Sequence, residues 1–129
     1  MRERAPDFPL SDAARDALVR AALEEDRAFE DVTTLATVLP GHHARADLVA
    51  RTDGVIAGIP LALAAFRLLD SHIEVRADAQ DGARVSRGTT VLHLSGGARG
   101  ILAAERVALN FAQRLSGVAT LTARYVEAI

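Results

Sequence analysis

The side chains best suited to binding an anion lie on one face of a predicted helix near the end of the chain. Winding the residues from position 99 onward at about 100° per residue places six of them within an arc of roughly 80°: Arg99, Ala103, Arg106, Asn110, Gln113 and Gly117. The guanidinium of Arg106 can grip a carboxylate through two parallel hydrogen bonds, and the small residues beside it leave room for a bound group. A helix that packs closely on another element through its small residues would show the same pattern, so both interpretations stay open at this point.

The types of basic and sulfur-containing residue exclude several kinds of chemistry. All 15 basic residues are arginine, and the chain has no cysteine. Schiff-base chemistry and lysine acid–base chemistry are therefore excluded, as are thiolate nucleophiles, disulfides and zinc–thiolate sites. The lack of cysteine fits a reducing cytosol. A formal net charge of −2 provides no basic surplus, so we expect neither nucleic acid nor an anionic membrane as a partner.

Other clusters of polar residues or glycines are weaker candidates for a site. The carboxylates of residues 24–26 diverge on a helix by about 100° each, which predicts a solvated helix end. Adjacent histidines at 42–43 point to opposite sides of an extended segment, so we predict an exposed turn rather than a metal site. The glycines of residues 96–100 match neither phosphate-binding loop pattern and predict a hinge. His72 and His93 are predicted to be surface residues or hydrogen-bonded core residues.

Periodicity predicts the elements that must position these residues. Ser11 is a predicted N-cap for a helix that ends near Glu25. Residues 44–51 alternate as a half-buried strand does, and Asp53-Gly54 predicts a tight turn into a strand that returns from Val55. The pattern further predicts a turn at 31–34 and a mostly buried helix over 60–69. Strands are predicted over 72–77 and 90–94, with a short strand between turns at 81–82 and 87–88. A long helix is predicted from about residue 98, with a bend or a division at 116–117.

These elements predict an α+β fold, with helices packed on a small, twisted, mostly antiparallel sheet. No linker or repeat divides the chain, which is 50% hydrophobic, so residues 1–129 are predicted to form a single domain. The helical pattern of residues 98–129 has no cap at its end, which suggests a truncated chain and the start of a connection to a further domain. No apolar run approaches the ~20 residues that cross a bilayer, and we expect a cytoplasmic protein.

Four blocks of sequence resemble one enzyme family. The stretch ERVALNFAQRLSGVAT at residues 105–120 resembles the ERxxLN…SGxAT signature of the quinolinate phosphoribosyltransferases. Residues 23–34 are similar to the family's LxED…DVTT opening, residues 50–58 to its ARxDGVxAG turn, and residues 81–96 to its DGxxVxxG hairpin. The blocks occur in the family's order and cover most of residues 20–124.

The resemblance implies the place of this domain in a larger enzyme, the activity of that enzyme and one residue of its site. It implies an N-terminal lid and dimerisation domain, which an α/β-barrel domain would follow. The whole enzyme would convert quinolinate and phosphoribosyl pyrophosphate into nicotinate mononucleotide, pyrophosphate and CO2 for NAD biosynthesis. Arg106 would enter the active site of a neighbouring subunit in a homodimer or larger homo-oligomer and bind the dicarboxylate substrate, with Arg99 as a second candidate. The catalytic residues and the ligands of an expected Mg²⁺ would lie in the barrel, so the isolated chain is expected to be inactive.

The same residues allow other interpretations. A structural role for Arg106 would pair it with a carboxylate such as Glu105 or Glu127. The hairpin of residues 81–96 also resembles those of lipoyl and biotinyl carriers, but such carriers need a lysine at the hairpin tip. Two alternatives for the function of the chain remain. One is a phosphoribosyltransferase-like protein linked to molybdate uptake, and the other is a dimerisation module without catalysis. The complete ERVALN and SGVAT blocks favour the quinolinate enzyme.

Overall fold

The computed structural model describes residues 8–30, 39 and 41–129, so the turn predicted at 31–34 lies outside the described residues. The helices and strands confirm the predicted α+β class. In chain order they are α1 (Asp12–Glu25), a short 3-10 helix (Ala28–Glu30), β1 (His43–Val49), β2 (Gly54–Val55), α2 (Ile59–Leu69), β3 (Glu74–Ala77), β4 (Arg84–Val85), β5 (Thr90–Gly97) and α3 (Ala98–Ala128).

The larger sheet is antiparallel, with β5 at its centre between β1 and β3. β1 is aligned with β5 from His43 opposite Gly97 to Leu48 opposite Leu92, and the register then shifts before Val49. Side chains along β1 alternate between exposed and half-buried, as the sequence pattern predicts for a strand with one solvated face.

The predicted return of the chain from β1 into β2 is wrong. β2 pairs with β4 in a separate two-stranded sheet, where Gly54 lies opposite Val85. β5 occupies the neighbouring position to β1 instead. Ala50, just beyond β1, continues this pairing through backbone hydrogen bonds with Gly88 and Thr89.

The core lies between the larger sheet and the helices. α2 is buried on most of its sides, as its apolar sequence predicts, and it packs between α1 and α3. Val19 and Leu23 of α1, Phe66 of α2, Leu92 of β5 and Ala104 of α3 are all buried in this core. Among the described residues, none of the helices combines the length and apolar character needed to span a bilayer.

α3 is continuous from Ala98 to Ala128, so the helix is not divided at residues 116–117. The Ser116 hydroxyl bonds the backbone of another segment rather than its own helix, and such bonding does not compete with the helical ladder. The prediction of a hinge at residues 96–100 is wrong, because β5 ends at Gly97 and α3 begins at the next residue, with no loop between them. Gly96 there packs against Ile73, where a Cβ atom would lie 3.0 Å from the Ile73 Cα.

Candidate functional site

Arg106 lies on α3 with its side chain 76% exposed. Its Nη1 donates a hydrogen bond to Oδ1 of Asp26 at 3.1 Å. A structural role predicts an ion pair with a carboxylate such as Glu105 or Glu127. Arg106 does form such a pair within the domain, but its partner is Asp26, and Glu127 pairs with Arg84. The guanidinium is nevertheless accessible from outside the domain, because its side chain stays largely exposed.

A cleft of about 260 Å³ surrounds this pair, between the end of α1, the 3-10 helix and α3. Its lining consists of Asp26, Arg27, Ala28, Glu30, Leu102, Ala103 and Arg106. Ala103 is buried at 8% exposure, so its small side chain allows the 3-10 helix to approach α3. The two interpretations of the small residues therefore both apply to Ala103, which packs closely and also lines the cleft.

Arg27 lies in the same cleft and has an unusual backbone conformation. Its φ is 57°, the only positive φ of a non-glycine residue in the described ranges. Left-handed conformations are uncommon for arginine and are often found at functional sites. The Arg27 side chain pairs with Glu30 at 3.4 Å. Nothing in the sequence pattern predicts this conformation, because arginine does not favour it.

The other residues of the predicted face do not all join Arg106. Arg99 is partly buried in the first turn of α3, and Gln113 and Gly117 are exposed further along. Asn110 lines a second cleft of about 570 Å³, next to Arg114 and the outer side of Asp26. Asp26 is thus the residue common to both clefts, and Arg106 forms an ion pair with it.

The SGVAT block has a structural role that sequence reasoning missed. Ser116 accepts a hydrogen bond from the Ala57 N–H and donates one to the Ala57 carbonyl, both at 3.0 Å. Thr120, one helical turn later, does the same with Val55 at 3.0 and 3.3 Å. The signal for this role in the sequence is the spacing of four residues between Ser116 and Thr120, which places both hydroxyls on one face of the helix. These bonds fix the extended segment 55–57 to α3.

Two of the other motif blocks meet at the same place. The Asp81 carboxylate accepts hydrogen bonds from the N–H groups of Gly58 at 3.2 Å and Ile59 at 2.9 Å. These are free donors at the start of α2, and a carboxylate also suits the positive end of the helix dipole. The blocks at 50–58, 81–96 and 105–120 therefore form one joint that orients α3, and α3 carries Arg106.

A second polar cluster lies on the outer face of the sheet, away from Arg106. Nδ1 of His93 lies 2.8 Å from Oδ1 of Asp47, and Nε2 lies 2.6 Å from Oδ2 of Asp78. Hydrogen bonds with both carboxylates raise the pKa of His93, that with Asp78 most strongly. The bond with His93 likewise lowers the pKa of Asp78. Of the two predicted alternatives, a surface residue or a hydrogen-bonded core residue, His93 fits neither fully: it is hydrogen-bonded but half-buried, outside the core. Its partners depend on strand pairing that the sequence pattern does not reveal.

The described residues do not provide a metal site. The carboxylates of Asp47 and Asp78 lie at opposite edges of the His93 ring, so they do not converge on one ion. Across the described ranges, no group of three or more His, Asp or Glu side chains is placed to hold a metal ion. Residues 24–26 lie at the end of α1, with Asp26 as its C-cap, as the sequence predicts.

Comparisons with known proteins give a consistent result. Residues 31–116 match the family model described as quinolinate phosphoribosyl transferase, N-terminal domain. The carboxylating nicotinate-nucleotide pyrophosphorylase of Mycobacterium leprae is 41% identical over 123 residues, covering 92% of this chain and 42% of that protein. The chloroplastic protein of the same name from Oryza sativa is 42% identical over 113 residues, covering 87% of this chain and 30% of its own length.

Solved structures show the same similarity. The structure of NadC from Streptococcus pyogenes aligns with a TM-score of 0.88 at 39% identity, covering 95% of this chain and 44% of that one. The nicotinate-nucleotide pyrophosphorylase from Francisella tularensis aligns with a TM-score of 0.85 at 31% identity, covering 92% and 42%. The chain therefore spans less than half the length of each of these relatives.

Proposed function

The chain belongs to the quinolinate phosphoribosyltransferase family, and on that premise we propose that it acts as the N-terminal domain of such an enzyme. The whole enzyme would transfer the phosphoribosyl group of phosphoribosyl pyrophosphate to quinolinate, release CO2 and pyrophosphate, and form nicotinate mononucleotide for NAD biosynthesis. The observation that carries this proposal is the match of residues 31–116 to the N-terminal domain of the family. The completed enzyme is this chain joined to the further portion that its relatives contain.

In this proposal Arg106 binds a carboxylate of quinolinate in the active site of a neighbouring subunit. Two observations support the assignment: the guanidinium is largely exposed, and its contact with Asp26 involves one nitrogen, Nη1. A planar guanidinium has five N–H donors, so enough remain for a bidentate grip. Arg99 is a weaker candidate for the same anion. A residue donated between subunits requires at least two copies of the chain, in a homodimer or a larger homo-oligomer.

The chemistry needs groups that this domain does not supply. Transfer of a phosphoribosyl group develops positive charge at the ribosyl carbon and requires stabilisation of the leaving pyrophosphate. The Mg²⁺ expected to assist does not fit the described residues, which hold no suitable group of ligands, and the sequence has no lysine. We propose that the domain supplies a substrate-binding residue and an interface, and that the catalytic residues belong to the further portion of the completed enzyme. Its location in the cytoplasm stays a prediction, since plant relatives carry names that include chloroplastic or mitochondrial.

An activity assay tests the proposal directly. We expect nicotinate mononucleotide to form when the completed enzyme is supplied with quinolinate, phosphoribosyl pyrophosphate and Mg²⁺. Chromatography should detect no product from residues 1–129 alone under the same conditions. Product from the isolated chain would show that it contains catalytic residues after all. A completed enzyme that folds but forms no product would favour the molybdate-linked protein or the dimerisation module.

A further inference from the structure

We propose that Asp26 is a positioning residue that holds the Arg106 guanidinium in the orientation in which it meets the carboxylate of the substrate. This inference rests on the proposed function, because it names the residue that prepares the substrate-binding arginine. Asp26 itself does not touch the substrate. Its effect is to reduce the number of orientations that Arg106 samples before quinolinate arrives.

The two partners of this ion pair differ in how firmly they are held. The Asp26 side chain is 22% exposed, whereas that of Arg106 is 76% exposed. The backbone N–H groups of Asp26 and Arg27 both bond back to α1, to the carbonyls of Ala22 and Glu24 at 3.0 Å. The carboxylate is therefore fixed on an ordered helix end, and it is the long arginine side chain whose freedom the contact restricts.

The position of Asp26 is unfavourable for the helix that carries it. Asp26 is the C-cap of α1, it follows two glutamates, and the last turn of that helix contains no basic residue. Negative charge at a helix C-terminus opposes the helix dipole, so local helix stability does not explain an aspartate here. The cation that compensates this charge is Arg106, 80 residues away in the sequence. The carboxylate therefore serves the tertiary contact rather than the helix.

The geometry of the contact leaves the arginine able to bind a ligand. Asp26 contacts Nη1, so the edge formed by Nε and Nη2 can still present two parallel N–H groups to a carboxylate. The pair lies at the mouth of a 260 Å³ cleft, and the neighbouring Arg27 is engaged by Glu30. Asp26 thus restrains one side of the guanidinium and leaves the opposite edge available.

Steady-state kinetics of charge variants in the completed enzyme test this role. We expect Asp26→Asn to raise the KM for quinolinate about 2- to 12-fold, which corresponds to immobilising one long side chain on binding, while the KM for phosphoribosyl pyrophosphate stays unchanged. Asp26→Glu keeps the charge and should restore much of the loss. Asp12→Asn is the matched control, because Asp12 pairs with Arg15 at the opposite end of α1, and it should leave both KM values unchanged.

A further pair of variants separates this inference from the proposed function. With Arg106→Ala as background, adding Asp26→Asn should not raise the KM for quinolinate further. An unchanged or lowered KM in Asp26→Asn, together with a raised KM in Arg106→Ala, overturns the positioning role but leaves Arg106 as the substrate ligand. An unchanged KM in Arg106→Ala overturns both. Assays well below the thermal midpoint of Asp26→Asn exclude unfolding as the cause of any rise in KM: a rise confined to the KM for quinolinate supports the positioning role, and an equal rise in the KM for phosphoribosyl pyrophosphate overturns it.

Discussion

Gly58 shows how a single residue determines the position of α3, the helix that carries Arg106. Gly58 begins α2 with a φ of 85°, a conformation that side chains with a Cβ atom rarely adopt. It also lies directly against α3, where an added Cβ atom would be 2.9 Å from the Phe111 carbonyl oxygen and from Cδ1 of Leu115. The residue therefore satisfies two requirements, one of backbone conformation and one of space.

Replacing Gly58 and Gly82 by alanine separates these two requirements. Gly82 has a φ of 90°, but nothing lies within 4 Å of its Cβ position. Gly82→Ala should lower the free energy of unfolding by about 1–2 kcal/mol, the cost of the left-handed backbone. Gly58→Ala should lower it by roughly 2–5 kcal/mol, because a steric overlap that typically costs about 1–3 kcal/mol adds to that backbone cost. Urea unfolding measures both, and equal losses would contradict the close contact with α3.

At the scale of residues, the sequence predicts exposure better than it predicts partners. Helical periodicity alone places Arg106 on an outward face, and the structure agrees. Its partner Asp26 could not be predicted, because 80 residues separate the two and their contact depends on how α1 packs against α3. Ser116 and Thr120 stand out in the sequence as part of a motif, but their partners at residues 55 and 57 are set by the tertiary fold in the same way.

At the scale of elements, the helices and the long strands follow from local sequence, whereas the pairing of strands does not. Ser11 caps α1 by accepting a hydrogen bond from the Ala14 N–H, as its position predicts. The short strands β2 and β4 contribute two residues each, too few for a hydrophobic pattern to choose a partner. Pairing of β1 and β3 with β5 then brings together the carboxylates of Asp47 and Asp78 around His93.

This cluster predicts how the stability of the sheet depends on pH. Both ring nitrogens of His93 face a carboxylate, so the cationic form is required for both bonds, and Arg76 adds a further cation beside Asp78. The pKa of His93 is raised from 6.5. Its contribution is therefore fully present below pH 6.5 and is lost as pH rises through the higher pKa of the folded state. The pKa of Asp78 is lowered from 3.8, so its contribution is lost only in acid.

Urea unfolding of His93→Gln between about pH 6 and about pH 9 tests this dependence. The parent chain should lose stability toward alkaline pH, and His93→Gln should be less stable at the acidic end but lose less with rising pH. His42→Gln is the matched control, because His42 is an exposed histidine just before β1, and it should follow the parent. If the alkaline slopes of the parent and His93→Gln coincide, the double hydrogen bond of His93 does not contribute.

At the scale of the whole molecule, α3 extends from the packed core to an exposed apolar surface. Its first half is buried against the core, whereas its second half exposes apolar side chains, among them Val118, Leu121 and Tyr125. The chain spans less than half of relatives such as those from Mycobacterium leprae and Streptococcus pyogenes. In the proposed function, this domain presents Arg106 from α3 to the substrate, with α3 held in place by its packing against the core.

Calorimetric titration of quinolinate into the completed enzyme tests that assignment most directly. Arg106→Ala should weaken binding by roughly 1.5–3 kcal/mol, the range for a hydrogen bond to a charged group. Arg124→Ala, which removes an exposed arginine from the same helix, is the control and should bind quinolinate as the parent does. Quinolinate affinity that is the same in the parent and in Arg106→Ala would contradict the account.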